Sequence, residues 1–249
     1  MIHVITYADE KYKATQKYCV RSAYKHGADI IYEFGPNNIE QDFKEKNQEI
    51  LRSPRGGGYW LWKPYFINRV LKECKEGDWL IYTDSALYFN RSVQKYIERL
   101  ARQGKSFVVQ ETKFLEKQFT KADILWALEC NEEKYLNSKQ LAATVIILKN
   151  CVESRKIVEE WLDYSQEKGL ISDDIVRPNC DEFIENRHDQ SLLSLICKQR
   201  KASIDNNLFC DIVLPFHRKA LLTYHHSLYD HKYKMFIAGV FRVFKYILP

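Results

Sequence analysis

Apolar residues along this chain fall into short dense runs, separated by stretches in which they recur at helical spacing. HVITYA (residues 3–8) predicts a buried strand, and Tyr12, Cys19 and Ala23 then mark a helix that Gly27 stops. ADIIYEF (28–34) predicts a second strand, followed by a polar helix near 38–51. Pro64 suits the first turn of a helix that carries Phe66, Ile67, Val70, Leu71 and Cys74 on one face. WLIYT is a third strand running into Asp84, and KSFVVQ a fourth. A helix from Thr120, the strand ATVIILKN, a long helix near 151–167 and another near 188–200 complete the series. Such alternation predicts an α/β domain with a mostly parallel central sheet flanked by helices. Ligands of open sheets of this kind bind beyond the carboxyl ends of the strands, where Tyr7, Asp84 and Gly56–Gly58 are expected.

Composition narrows the function class. With 249 residues and 45% hydrophobic content the chain suits one large domain. A net charge of +5 suits anionic ligands or membrane surfaces, and without a basic tail or an RNA-binding signature no nucleic-acid partner is expected. The seven cysteines include no CxxC pair, which argues for reduced thiols rather than a disulfide framework or a zinc ribbon. No basic, then apolar leader and no apolar run of about 18 residues occurs, so a cytoplasmic location is expected.

Three stretches carry candidate chemistry. RSPRGGGYWLWKPY (52–65) sets Gly56, Gly57 and Gly58 between Arg55 and the aromatics Tyr59, Trp60 and Trp62, a combination of pliant backbone and flat walls that asks for a ligand. Asp84 sits at a strand end, where a carboxylate holds a divalent cation or an orienting hydrogen bond as readily as it caps a turn. Arg187, His188, Asp189 and Gln190 precede the apolar stripe of Leu192, Leu193, Leu195 and Ile196, and four polar side chains exceed what a helix cap needs. His225 and His226 add imidazoles suited to a metal or a phosphate.

Taken in order, RGGGYWLWKPYFINRVL, GDWLIYTDSALYFN, NSKQLAATVIILKN and ENRHDQSLLSLI resemble the successive motifs of small bacterial sugar transferases of capsule and lipopolysaccharide assembly, of the GT-A class. The resemblance spans roughly residues 1–226 and implies a single GT-A-like, Rossmann-like domain over residues 1–230 that uses a nucleotide-sugar donor, a UDP-hexose, and a surface-glycan or lipid-linked acceptor. It places the nucleotide along Thr6, Tyr7 and Ala8, and the diphosphate at Asp84-Ser85-Ala86 with Mn²⁺ or Mg²⁺. Ala86 departs from the family's second carboxylate, so the resemblance leaves either His225 joining Asp84 on the metal, or Arg55 and Lys63 carrying diphosphate charge. It further implies Gly57 against the donor, Tyr59 or Trp62 as a wall, His188, Gln190 and Gln140 on the donor sugar, and Asp189 beside the reacting carbon, in an inverting or a retaining role. A nucleotidyltransferase and a non-catalytic glycan-binding module are the competing readings.

Residues 231–249 predict a basic amphipathic helix with Lys234, Arg242 and Lys245 on one stripe and Phe236, Ile237, Val240, Phe241, Phe244 and Ile247 opposite. Such a helix lies on an anionic membrane or docks on its own domain or a second subunit of a homodimer. Deletion of residues 232–249 is expected to abolish flotation of the protein with anionic liposomes; unchanged flotation refutes the membrane assignment.

Overall fold

The computed structural model describes residues 1–210 and 221–224; the expected C-terminal helix and His225 lie outside them. Strands β1 (Ile2–Tyr7), β2 (Ile30–Phe34), β3 (Trp79–Thr83), β4 (Leu87–Phe89), β5 (Phe107–Leu115), β6 (Lys139–Lys149), β7 (Ser203–Ile204), β8 (Phe209–Cys210) and β9 (Leu222–Tyr224) are interspersed with helices. The longer helices are α1 (Lys13–Lys25), α2 (Trp62–Glu73), α3 (Val93–Arg102), α4 (Val152–Ser165) and α5 (Asp189–Gln199).

The main sheet has the order β2-β1-β3-β6-β5-β7, and β4-β9-β8 form a smaller one. β1 pairs in parallel with β2 and β3, and β5 with β7, whereas β6 runs antiparallel to both β3 and β5. The sheet is thus mostly parallel with one reversed strand. The reversal follows from the segment between β5 and β6, whose short helices Glu116–Phe119, Ala122–Ala127 and Glu133–Leu136 precede a start of β6 beside the end of β5, with Lys139 opposite Leu115. A parallel return needs a crossover to the far edge, and this connection makes none.

Alternate residues of each strand feed cores on the two faces. Ile5, Leu80 and Tyr82 join Phe66, Ile67, Val70 and Leu71 of α2 on one side, and Val4, Trp79 and Ile81 join Val93, Ile97 and Leu100 of α3 on the other. Burying each such aliphatic or aromatic side chain stabilises the fold by about 1.5–3 kcal/mol. The polar stretch expected as one helix divides at Asn47 into Gln41–Lys46 and Gln48–Leu51, where the Asn47 amide donates to the Phe43 carbonyl at 3.0 Å. Among the described residues no helix is long and apolar enough to cross a membrane.

The triple glycine forms a turn of left-handed helix. Gly56, Gly57, Gly58, Tyr59 and Trp60 have φ of 59°, 58°, 94°, 53° and 61°. Each L-residue in that conformation costs roughly 1–2 kcal/mol, so glycine at three of the five positions keeps the turn accessible. At Gly58 space is limiting as well, because a Cβ there would sit 2.8 Å from Leu51 Cα. The turn is pinned by Trp62, whose indole Nε1 donates to the Gly56 carbonyl at 2.9 Å.

Gly58→Ala adds overpacking to handedness and is expected to cost about 3–5 kcal/mol by urea unfolding. Gly104→Ala, at φ 67° with open space around it, is expected to cost about 1–2 kcal/mol. Equal losses would show that Leu51 plays no part in requiring glycine at position 58.

Candidate functional site

Because β1 and β3 are parallel, Tyr7 and Asp84 emerge at the same edge of the sheet. A cleft of about 890 Å³ opens there, walled by Tyr7, Trp60, Trp62, Tyr82, Asp84 and Ser85 among others. Tyr7 stacks on Trp62 with ring centroids 3.7 Å apart and planes 12° from parallel. Burial, with the charge of Asp9, pushes the Tyr7 phenol up to about 12, so it stays a neutral donor.

Beneath this wall lies a buried charge cluster. Lys63, the second residue of α2, is 4% exposed, and its Nζ lies 2.9 Å from Asp189 Oδ2 and 3.7 Å from Asp84 Oδ1. It also donates to the Ala143 carbonyl of β6 at 3.2 Å. Burial works against its charge, yet the carboxylates of Asp189 and Asp84 outweigh it and hold the ammonium above the ordinary lysine pKa. The Tyr82 hydroxyl donates to Asp84 Oδ1 at 2.7 Å, and burial followed by the Asp84 charge keeps that phenol protonated. Asp84 Oδ1 is therefore engaged twice, while Oδ2 takes no hydrogen bond or ion pair from the described residues, on a side chain 35% exposed.

Asp189 opens α5, and the Trp161 indole of α4 donates to its backbone carbonyl at 2.8 Å. Its side chain is 5% exposed and directed at Lys63. Burial pushes the carboxyl up to about 6 against the pull of Lys63 beside it. The structure thus places Asp189 in the cluster under the cleft, whereas Asp84 lines the cleft itself, together with the carboxylates of Asp9 and Glu45.

The other expected residues are distributed unevenly. Ser85 and Gly57 line the cleft with Tyr7, whereas Thr6 points to the opposite face of the sheet, which is also covered, and is fully buried. Arg55 faces solvent and pairs with Asp173 at 3.6 Å and Glu185 at 3.4 Å. Tyr59 packs its ring on buried His188 with centroids 4.9 Å apart. His188, at φ 49°, donates from Nδ1 to the Ile171 carbonyl at 2.7 Å, and burial lowers its pKa. Gln140 and Gln190, expected on sugar hydroxyls, spend their amides inside the protein. Gln190 donates to Gln140 Oε1 at 2.7 Å and accepts from Ala143 N at 3.2 Å, and the Gln140 amide nitrogen donates to the Phe119 carbonyl at 3.1 Å. These bonds brace β6 against α5.

Sequence reasoning missed Tyr82 and the cleft cations Lys11, Lys44 and Arg52. Tyr82 had a signal, since residues two apart on a strand share a face and Tyr82 stands two before Asp84. The three cations come from separate segments that only the fold brings together.

Lys63→Met leaves Asp189 buried without its partner and is expected to cost about 3–5 kcal/mol in urea. In the wild-type protein the folded Asp189 carboxyl binds its proton more tightly than the unfolded one, so its contribution to stability falls as pH rises from about 4 and levels off above about 6. Asp189→Asn is expected to remove that part of the pH dependence, and Lys63→Met to extend the decline to higher pH. An unchanged pH profile in both variants would contradict the cluster.

No protein-family model matches the chain, and no curated protein matches it. Among solved structures, it is similar to a glycosyltransferase involved in the glycosylation of the major capsid of PBCV-1, at 11% identity over 90% of this chain and 92% of that one, with a TM-score of 0.49. It is also similar to the apo structure of the bifunctional glycosyltransferase WbbM, at 10% identity with a TM-score of 0.52, over 91% of this chain but 46% of that one. The chain spans less than half of WbbM and shares a fold with it.

Proposed function

We propose that this chain is a glycosyltransferase that moves a sugar from a nucleotide-sugar donor, a UDP-hexose, to a surface-glycan or lipid-linked acceptor of the capsule or lipopolysaccharide kind. The observation that carries the reading is Asp84, which offers one unengaged oxygen to an aromatic-walled cleft at the carboxyl edge of a sheet with this fold. The nucleoside lies along the end of β1 against Tyr7, and the diphosphate lies toward Asp84 and Ser85. Lys11, Lys44 and Arg52 meet its charge from the cleft wall, the role the sequence had suggested for Arg55 and Lys63.

The residues fit a divalent cation held by a single protein oxygen. Lys63, Asp84 and Asp189 together carry one net negative charge, Asp84 Oδ2 is free of partners among the described residues, and Ala86 adds no second carboxylate. Such an ion, Mn²⁺ or Mg²⁺, is ordinarily completed by substrate phosphates, and when bound it neutralises charge on the departing diphosphate. Transfer breaks the bond from the anomeric carbon to the diphosphate oxygen, forms one to the acceptor oxygen, and passes the acceptor hydroxyl's proton to the departing diphosphate or to solvent. Tyr82 and Lys63 fix Asp84 Oδ1, so Oδ2 keeps its aim without reorganisation. Asp189 acts through Lys63 as a positioning residue. The acceptor is reached from the cytoplasmic face of the membrane.

Calorimetry against UDP, GDP, CMP and dTDP, each with and without Mn²⁺, tests this reading. UDP is expected to bind best, with Mn²⁺ strengthening it by at least about tenfold, or 1.4 kcal/mol. Asp84→Asn is expected to lose the Mn²⁺ enhancement, keep metal-free UDP binding and show no transfer. Folded protein that binds none of the four nucleotides overturns the proposal and favours a glycan-binding module.

A further inference from the structure

The opposite edge of the sheet carries a second cluster of donor groups, remote in the topology from Asp84. His3 stands near the start of β1, Cys74 caps the carboxyl end of α2, and Asp78 immediately precedes β3. One ligand atom from each of these three side chains lies within 4.8 Å of the other two. We propose that His3, Cys74 and Asp78 form a binding site for a borderline-soft divalent metal ion of the zinc class.

Three features of the geometry support this assignment. Imidazole, thiolate and carboxylate are the ordinary ligands of such an ion, at about 2.0–2.3 Å, which sets the edges of a tetrahedral site at about 3.3–3.8 Å. His3 Nε2 and Asp78 Oδ2 stand 3.2 Å apart in a buried hydrogen bond, which the ion would replace at a separation close to such an edge, and half-buried Cys74 closes the third corner by a small side-chain movement. His3 is 3% exposed, with its other ring nitrogen, Nδ1, 3.4 Å from the Tyr32 hydroxyl, the kind of outer contact that orients a metal-binding imidazole. Asp78 is likewise held, its Oδ2 accepting from the Lys75 backbone N–H at 3.2 Å and its Oδ1 from the Met1 amino group at 2.6 Å. Cys74 Sγ makes no hydrogen bond among the described residues, which leaves it available as a ligand. Its coordination releases the thiol proton to solvent, and a water completes the fourth position.

Such an ion would tie the start of β1, the end of α2 and the start of β3 together, clamping the strands that carry Tyr7 and Asp84 at their other ends. The selectivity differs from that of the cleft: thiolate and imidazole strongly favour zinc over magnesium or manganese, while a lone carboxylate oxygen discriminates far less among these ions.

Titration of the metal-free full chain with Co²⁺ tests the site. One equivalent is expected to produce a near-ultraviolet thiolate-to-cobalt band with visible d–d bands of tetrahedral intensity, displaced by Zn²⁺. Cys74→Ser, checked by circular dichroism for an intact fold, is expected to lose the thiolate band entirely, and Asp84→Asn to keep it. Alkylation of Cys74 by iodoacetamide, followed by mass spectrometry on the unmutated chain, is expected to slow at least tenfold with one equivalent of Zn²⁺. Absence of the band in the wild-type protein, its survival in Cys74→Ser, its loss in Asp84→Asn, or alkylation unaffected by zinc would each overturn the assignment.

Discussion

A buried ammonium between two carboxylates is the constraint on which the rest of this site depends. Lys63 has no route to water for its charge, and an isolated ion at that depth is untenable. It is kept by Asp189 at the head of α5, by Asp84 at the end of β3 and by the Ala143 carbonyl of β6. Four elements are therefore fixed relative to one another by a single side chain, and two helices begin at the cluster. The positive end of α5 favours the Asp189 carboxylate, while Lys63 in the first turn of α2 opposes its own helix dipole and relies on the carboxylates to offset it.

The left-handed turn is the backbone counterpart of that cluster. It ends at Trp60, one residue before the cap of α2, and so sets where Trp62 and Lys63 start their helix. Strain of this kind persists when the surroundings over-determine it. Here the rings of Tyr59 and Trp60 pack on His188, itself at positive φ, and the Trp62 indole holds the Gly56 carbonyl. The same loops that wall the cleft thus lean on the residue preceding Asp189.

Much of the architecture was legible because period and punctuation agree locally. β1, β3, α2, α4 and α5 each carry an apolar pattern of one period with a clear stop, and Asp84 was visible as an acid left at the mouth of a strongly apolar strand. The direction of β6 was not legible, since a strand's own residues carry no sign of which way its neighbours run; that was decided by the short helices of residues 116–138. The cleft was legible in part: Tyr7, Gly57, Asp84 and Ser85 line it as expected, whereas Tyr82, Lys11, Lys44 and Arg52 were not read from the sequence. Asp189, Gln140 and Gln190 read as polar groups gathered near a site, and only the packing shows that their side chains face Lys63, β6 and one another. Lys63 read as a cation for the donor's diphosphate because burial of a lysine is rare enough that sequence favours an accessible charge.

The handedness of residues 56–60 has a stereochemical corollary. Gly57 has ordinary contact distances around it, with a Cβ meeting Trp62 Nε1 at 3.8 Å and the Tyr7 hydroxyl at 3.9 Å, so size alone does not exclude a methyl group there. What excludes alanine is its chirality: a D-alanine at the same position matches the backbone of the turn, and in losing the freedom glycine has in the unfolded chain it would favour the folded state. Position 57 is therefore limited by the handedness of the residue, whereas positions 56 and 58 are limited by space as well.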